Sequence, residues 1–299
     1  MSDPIIATQR ETILGILTKG EWERHGELDR LCEEVLRQVP NDTLALYGSA
    51  FANMKRETAQ KGIEAARRLN QIQPSADGSW IQGMNEVLAG GSGLSSFEKA
   101  AEGNPKYDRH VLLGRAIEAG TRIIEVADFK FPLATFNAQA IESTLYHLSG
   151  ALTEEDELLA IEAAWEPGKH ILEIGVLIGN HTAFFLRRLL PSRIDIYEMD
   201  EACIPYLEET IRLNNLGTVC QIHRQAVSGA TPIPKADYFK IDIDGGEDET
   251  IPGLWPVLKT CRGGLLEVDK RNEGLSGLVG EPVRRFDHGG YENWLLALR

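Results

Sequence analysis

The chain has 299 residues, longer than a single hydrophobic core usually grows, so two domains are expected. A composition of 42% hydrophobic and 25% charged residues is that of a globular protein and excludes disordered, fibrous and disulfide-framework classes. Thirty-one Lys and Arg against 45 Asp and Glu give a net charge of -14, which repels nucleic acid, and no apolar run is long enough to cross a membrane. Cys32, Cys203, Cys220 and Cys261 form no CxxC pair and read as reduced thiols, which points to the cytoplasm.

The first third alternates helix and turn. Leu28, Leu31, Val35, Leu36 and Val39 recur at helical spacing, and Pro40-Asn41-Asp42 stops that helix. Tyr47, Ala50, Phe51 and Met54 form a second stripe, and Ala59, Ile63, Ala66 and Leu69 a third that ends before Pro74. Pro40 and Pro74 lie 34 residues apart, each before a polar turn, and a third unit runs from Trp80 to Pro105. The segment resembles tetratricopeptide repeats, with most of their small-residue positions missing. Such an all-α region suits a protein partner or a homodimer contact.

Residues 109 to 124 read as one more helix, which gives a helical domain over 1–125, a connector over 126–150 and a second domain over 151–299. Thr153 to Asp156 look like a capping box opening a helix that leads to the first strand of that domain.

From residue 170 apolar segments alternate in type: HILEIG, HTAFFLRRLL, RIDIYEMD, EACIPYLEETIRLNN, VCQIHRQAV, DYFKIDID, a helix near 249–258, and GGLLEVD. Strand and helix alternate, so the expected fold is a doubly wound, mostly parallel α/β sheet. The turn after the first strand carries Gly175 and Gly179, where the backbone turns sharply and a ligand can approach. Glu198 ends the second strand 23 residues after Gly175, the interval at which a carboxylate meets ribose hydroxyls in nucleotide-binding sheets. Neither a G-x-G-x-x-G dinucleotide turn nor a phosphate-binding G-x-x-x-x-G-K-[ST] loop is present.

The strand YFKIDID puts Lys240, Asp242 and Asp244 on one face, which is costly to bury unless they meet one another, a ligand or a metal. These three are the candidate catalytic residues, with Asp244, or Lys240 paired with an acid, as proton acceptor. Asp242, Asp244, Glu267 and Asp269 also offer oxygen ligands for magnesium. His181 and His288 have no acid partner legible in the sequence and read as structural.

The segments ILEIGVLIGNHT, IYEMD, QAVSG, YFKIDIDGGEDETIPGL and LLEVD occur in the order seen in the FkbM-type family, and residues 165–290 resemble its class I S-adenosylmethionine-dependent methyltransferases. That resemblance implies a Rossmann-like fold and S-adenosyl-L-methionine as cofactor. It places Glu173, Gly175, Val176, Gly179, Asn180 and Thr182 at the methionine end, Glu198 and Met199 at the ribose, and Gln225 and Ala226 at the adenine, with Asp242 closing the site. It further implies metal-independent O-methylation of a sugar or small natural product, while the charge and the lack of a long apolar run lead one to expect no nucleic-acid or membrane partner. A magnesium-assisted enzyme acting on a diol, and an inactive cofactor fold that binds partners through its helices, are the alternatives. The sequence departs from the family at His181 and at EMD in place of E-P, and its end at GGYENWLLALR leads one to expect a short or partly absent final strand pair.

Overall fold

The computed structural model describes residues 4–19, 24–215, 219–243, 245–270 and 274–298, and the chain divides into two compact units. The first comprises Met1–Arg122 and Leu133–Ser149, the second Ile123–Pro132 and Gly150–Arg299.

The first unit is helical: α1 Pro4–Lys19, α2 His25–Gln38, α3 Thr43–Ala52, α4 Ala59–Ile72, α5 Ala76–Leu88, α6 Leu94–Gly103, α7 Asp108–Glu118 and α8 Ala138–Leu148. Short polar side chains start several of them. Asp42 accepts from the Ala45 amide, Ser75 from Gly78 and Asn137 from Ala140, each meeting a donor that the first helical turn leaves unpaired. Successive helices pack on one another, and α2, α4 and α6 begin at residues 25, 59 and 94, spacings of 34 and 35. Leu46, Ala50, Ala66, Ile81, Leu88, Phe97 and Leu113 form the core. A small residue matters where α5 meets α6, since a Cβ on Gly83 would lie 2.5 Å from the Phe97 ring. The fully buried Asn85 donates to the Ala50 and Ile81 carbonyls and so ties α3 to α5.

Two boundaries differ from expectation. The helix anticipated over 109–124 ends at Glu118, because Gly120 at φ +70° turns the chain. The anticipated connector 126–150 is a hairpin of β1 Ile123–Val126 and β2 Phe129–Pro132, which belongs to the second unit, followed by α8, which belongs to the first. No single cut therefore separates the units.

In the second unit α9 spans Glu155–Ala164 and leads to β3 His170–Ile174. Next come α10 Asn180–Phe184, which runs on as one wide turn over Phe185–Leu189, β4 Arg193–Glu198, α11 Ile204–Leu213, β5 Cys220–Arg224 and β6 Tyr238–Ile241. The chain ends with α12 Glu247–Leu258, β7 Gly263–Asp269, α13 Gly274–Val279, β8 Arg284–Asp287 and β9 Tyr291–Ala297. The seven strands lie in the order β5-β4-β3-β6-β7-β9-β8; the first five are parallel, and β9 runs antiparallel to both β7 and β8. The final strand pair is thus present, and β9 pairs with β7 along all seven of its residues. Its apolar run Trp294, Leu295 and Leu296 buries against β7 and makes that pairing worthwhile. The chain reverses its strand order between β3 and β6, the switch point where ligands of open α/β sheets bind.

Asp195, fully buried on β4, joins three strands. It accepts from Arg193 at 2.6 and 2.7 Å and meets His170 Nε2 at 2.7 Å and His223 Nε2 at 2.9 Å. Burial alone would raise its pKa, but these hydrogen bonds, with Arg193 the strongest, hold it at about 2. Its stabilisation is therefore complete above the unfolded carboxylate value near ~3.9 and is lost as pH falls toward 2. Asp195→Asn is expected to cost about 2 kcal/mol at pH 7 and progressively less below pH 4, as read by denaturant midpoints. A pH-independent difference would remove Asp195 from that role.

Candidate active site

Five residues of backbone turn at the end of β3 shape the site. Gly175 at φ +76° and Gly179 at φ +82° bracket Val176, Leu177 and Ile178, and Leu177 itself takes φ +52°. The Gly175 backbone lies so close to β6 that a Cβ there would sit 1.6 Å from the Asp242 carbonyl oxygen. The free amides of the turn point at Glu198: Val176 N and Leu177 N donate to its Oε2 at 3.1 and 3.2 Å, and Asp200 N donates to Oε1 at 2.8 Å. A carboxylate has about four acceptor positions, so Oε1 retains a lone pair for a further donor.

Across β3, β6, β7 and β9 one face of the sheet carries a row of polar side chains. Glu173 stands beside Lys240 in the β3–β6 register, and Glu267 beside Asn293 in the β7–β9 register. Lys240 Nζ donates to Asp242 Oδ2 and to the Gly175 carbonyl, both at 2.9 Å. Burial alone would lower the lysine pKa, but the charges of Asp242 and Glu173 hold it above its ordinary value. Burial likewise pushes Asp242 upward, and Lys240 reverses this, so Asp242 stays ionised with its carboxyl below the usual range. Glu267 also hydrogen-bonds Asp242, which favours the ionised form of that carboxyl. Burial pushes fully buried Glu173 up to about 7 despite Lys240 and a 2.8 Å hydrogen bond from Thr182, and its Oε1 has no hydrogen-bond partner.

The start of α9 meets this face. Glu154 takes the left-handed conformation at φ +56° just before the helix, and no side chain caps it, so the anticipated capping box does not form. Asn180 binds both sides of the Thr153 peptide, accepting from its N–H at 3.3 Å and donating to its carbonyl at 2.9 Å. Burial and mutual repulsion raise the pKa of Glu154. Burial also raises that of Glu157, although Asn293 donates to both its oxygens at 3.0 and 2.9 Å and His288 Nε2 lies against one of them. His181, almost fully buried, is driven down to about 3 by burial and by the charge of Lys240, so its ring is neutral.

Several expected site residues therefore stand together: Glu173, Gly175, Val176, Gly179, Glu198, Lys240 and Asp242 line the β3–β6 switch and its neighbour β4. Others have different work. The Asn180 amide holds Thr153 and the Thr182 hydroxyl holds Glu173, so neither side chain is directed at a ligand. Met199 is 70% exposed, and Gln225 and Ala226 lie on the surface just beyond β5. Asp244 lies outside the described residues. The two histidines read as lacking an acid partner both face one: His288 pairs with Glu157, and His181 Nε2 lies 3.6 Å from Glu154. Sequence reasoning missed Glu154, Glu157 and Asn293, which come from a helix start and from the last strand, more than 130 residues apart. An acid that itself takes the αL conformation ahead of a helix leaves no periodic signal.

No protein-family model matches the chain, and no curated protein matches it. Among solved structures, precorrin 8W decarboxylase of Methanobacterium thermoautotrophicum aligns at 17% identity with a TM-score of 0.40, over 49% of this chain and 90% of that one. TYW2 of M. jannaschii, solved in complex with AdoMet, aligns at 12% identity with a TM-score of 0.41, over 58% of this chain and 84% of that one. Likenesses this distant leave the function to be argued from the site itself.

Proposed function

We propose that the second unit binds S-adenosyl-L-methionine and transfers its methyl group to a hydroxyl of a sugar or small natural product. The observation that carries this reading is the glycine turn after β3 braced by the Glu198 carboxylate, beside an acid-rich strand-end face. The donor set suits such a ligand. The cofactor carries positive ammonium and sulfonium centres, to which Glu173, Glu198, Asp242 and Glu267 would offer carboxylates, with Lys240 as the buried cation of the row. Glu173 Oε1, buried without a partner, is an acceptor waiting for a donor. When bound, the cofactor supplies an electrophilic methyl group for in-line displacement.

The chain's own residues then have three tasks. Glu198 accepts from a ribose hydroxyl through the lone pair left on Oε1. Lys240 keeps Asp242 ionised at neutral pH, so that carboxylate can take or share the acceptor's proton. Glu173, held by Thr182, meets the cationic end of the ligand. Asp244, two residues beyond Asp242, is a second proton acceptor in this reading, and neither step calls on a metal ion.

The test is calorimetry of the full chain with S-adenosylmethionine, S-adenosylhomocysteine, NAD and ATP. Binding of the two sulfur compounds alone is expected, and Glu198→Ala should weaken it by about 1 to 3 kcal/mol, the worth of hydrogen bonds to a charged acceptor. Tight NAD binding with no response to either sulfur compound would overturn the proposal, and unchanged affinity in Glu198→Ala would remove that residue from the site.

A further inference from the structure

The geometry points to a divalent metal site, apart from the methyl-transfer chemistry, in which Glu154, Glu157 and His181 hold a zinc ion that clips the start of α9 to the start of α10. One ligand atom from each of the three lies within 4.8 Å of the others. The buried acids alone would say little. The imidazole is the second observation: the His181 side chain is 7% exposed, and its Nε2 is fully buried, has no hydrogen-bond partner and lies 3.6 Å from Glu154 Oε2. A buried imidazole nitrogen without a hydrogen-bond partner, beside two carboxylates, stands where a metal ligand would.

The surroundings are built for a fixed arrangement. Asn180 grips the Thr153 peptide from both sides, so the residues next to each partner, Glu154 and His181, are locked in register before any ion arrives. Asn293 and His288 orient the Glu157 carboxylate, as outer hydrogen bonds do around metal ligands. Zinc sits about 2.1 Å from nitrogen and oxygen ligands, which asks the three atoms to draw to roughly 3.4 Å of one another, a change within side-chain rotation. One nitrogen and two carboxylate oxygens leave a fourth position for water, a set that suits zinc better than magnesium, which prefers oxygens and keeps its waters.

Charge agrees. Lys240 is tied to Asp242 and the Gly175 carbonyl, so that pair is already neutral. Glu154 and Glu157 offer carboxylate oxygens and His181 an imidazole nitrogen, a donor set that one dication can bind. The magnesium set anticipated from the sequence is different: Asp242 there is taken up by Lys240 and Glu267.

The test uses the full chain stripped with chelator, then titrated with zinc chloride by calorimetry and with cobalt(II) by visible absorption. One equivalent of zinc should bind, cobalt should give the intense bands of a four-coordinate site, and thermal unfolding should shift upward with zinc. His181→Ala and Glu157→Gln should each lower zinc affinity by ~100-fold, and Asn293→Ala by about tenfold as a positioning residue. Should His181→Ala fail to fold, Glu154→Gln, whose side chain is 14% exposed, carries the same test. Absence of one-equivalent binding, or binding unchanged in Glu154→Gln and His181→Ala, would overturn the assignment. S-adenosylmethionine binding by the stripped protein in that case would leave the cofactor proposal standing, since the two titrations are independent.

Discussion

Replacing Gly175 with alanine is expected to abolish cofactor binding and to destabilise the second unit more than any other single change in the turn. The new Cβ would lie 1.6 Å from the Asp242 carbonyl oxygen, and φ +76° is a conformation that alanine adopts only at a penalty of about 1 to 2 kcal/mol. The collision is with backbone, not with a mobile side chain, so the turn must move. Val176 and Leu177 would then lose Glu198, and Lys240 would lose the Gly175 carbonyl. A fall in affinity for S-adenosylhomocysteine of roughly a hundredfold or more is expected, which is about 2.7 kcal/mol or greater. Gly277→Ala on α13, where a Cβ meets nothing within 4 Å, serves as the control and should bind as the parent does. Parent-like affinity in Gly175→Ala would show that the turn is not part of a binding site.

Lys240→Met should be the most damaging substitution on the sheet itself. Methionine fills the volume but leaves Asp242 and Glu173 facing one another in a buried row without their cation, a loss of about 3 to 5 kcal/mol. For a unit of this size that is a fall in melting temperature of roughly 10 °C. The pH dependence follows from the directions of the shifts. Lys240 is raised, so its contribution is whole below the ordinary lysine value near ~10.4 and fades only at higher pH. Asp242 is lowered, so its contribution is whole above ~3.9 and fades as pH falls. The parent protein should therefore keep a flat contribution from this pair between pH 5 and 9. In the variant the bare carboxylates take up protons as pH drops, so the gap between the two proteins should narrow toward pH 4. A gap under about 1 kcal/mol that does not change with pH would contradict the placement of Lys240 as the charge that holds the row together.

Much of this could be read from residue order alone. The switch from period-3.6 stripes to short apolar runs marked a helical part and an α/β part, because burial of one helix face and burial of a whole parallel strand leave different patterns. Pro40 and Pro74 announced the period on which α2, α4 and α6 begin. Gly175, Gly179 and Glu198 were legible because a turn needing positive φ admits few residues and because strand length sets the interval to the next strand's end. Lys240 and Asp242 were legible because alternation places i and i+2 on one face, and the structure joins them at 2.9 Å.

What local order cannot carry was decided by tertiary structure. The hairpin over 123–132 joins the second unit and α8 the first, since which core an amphipathic segment fills depends on the partner it meets and not on its own pattern. Asn180 and Thr182 follow the glycine turn after β3, yet their side chains are committed to Thr153 and Glu173, because a buried polar group takes the nearest partner that satisfies it. Glu157, His288 and Asn293 converge from α9, the β8–β9 turn and β9, and only the antiparallel return of the last strand beside β7 makes them neighbours. Residue order determined which groups lie on one strand or one turn. Only the folded sheet determined which of them face one another across strands, because contact between distant segments is set by strand order, register and the desolvation that buried charges must satisfy in three dimensions.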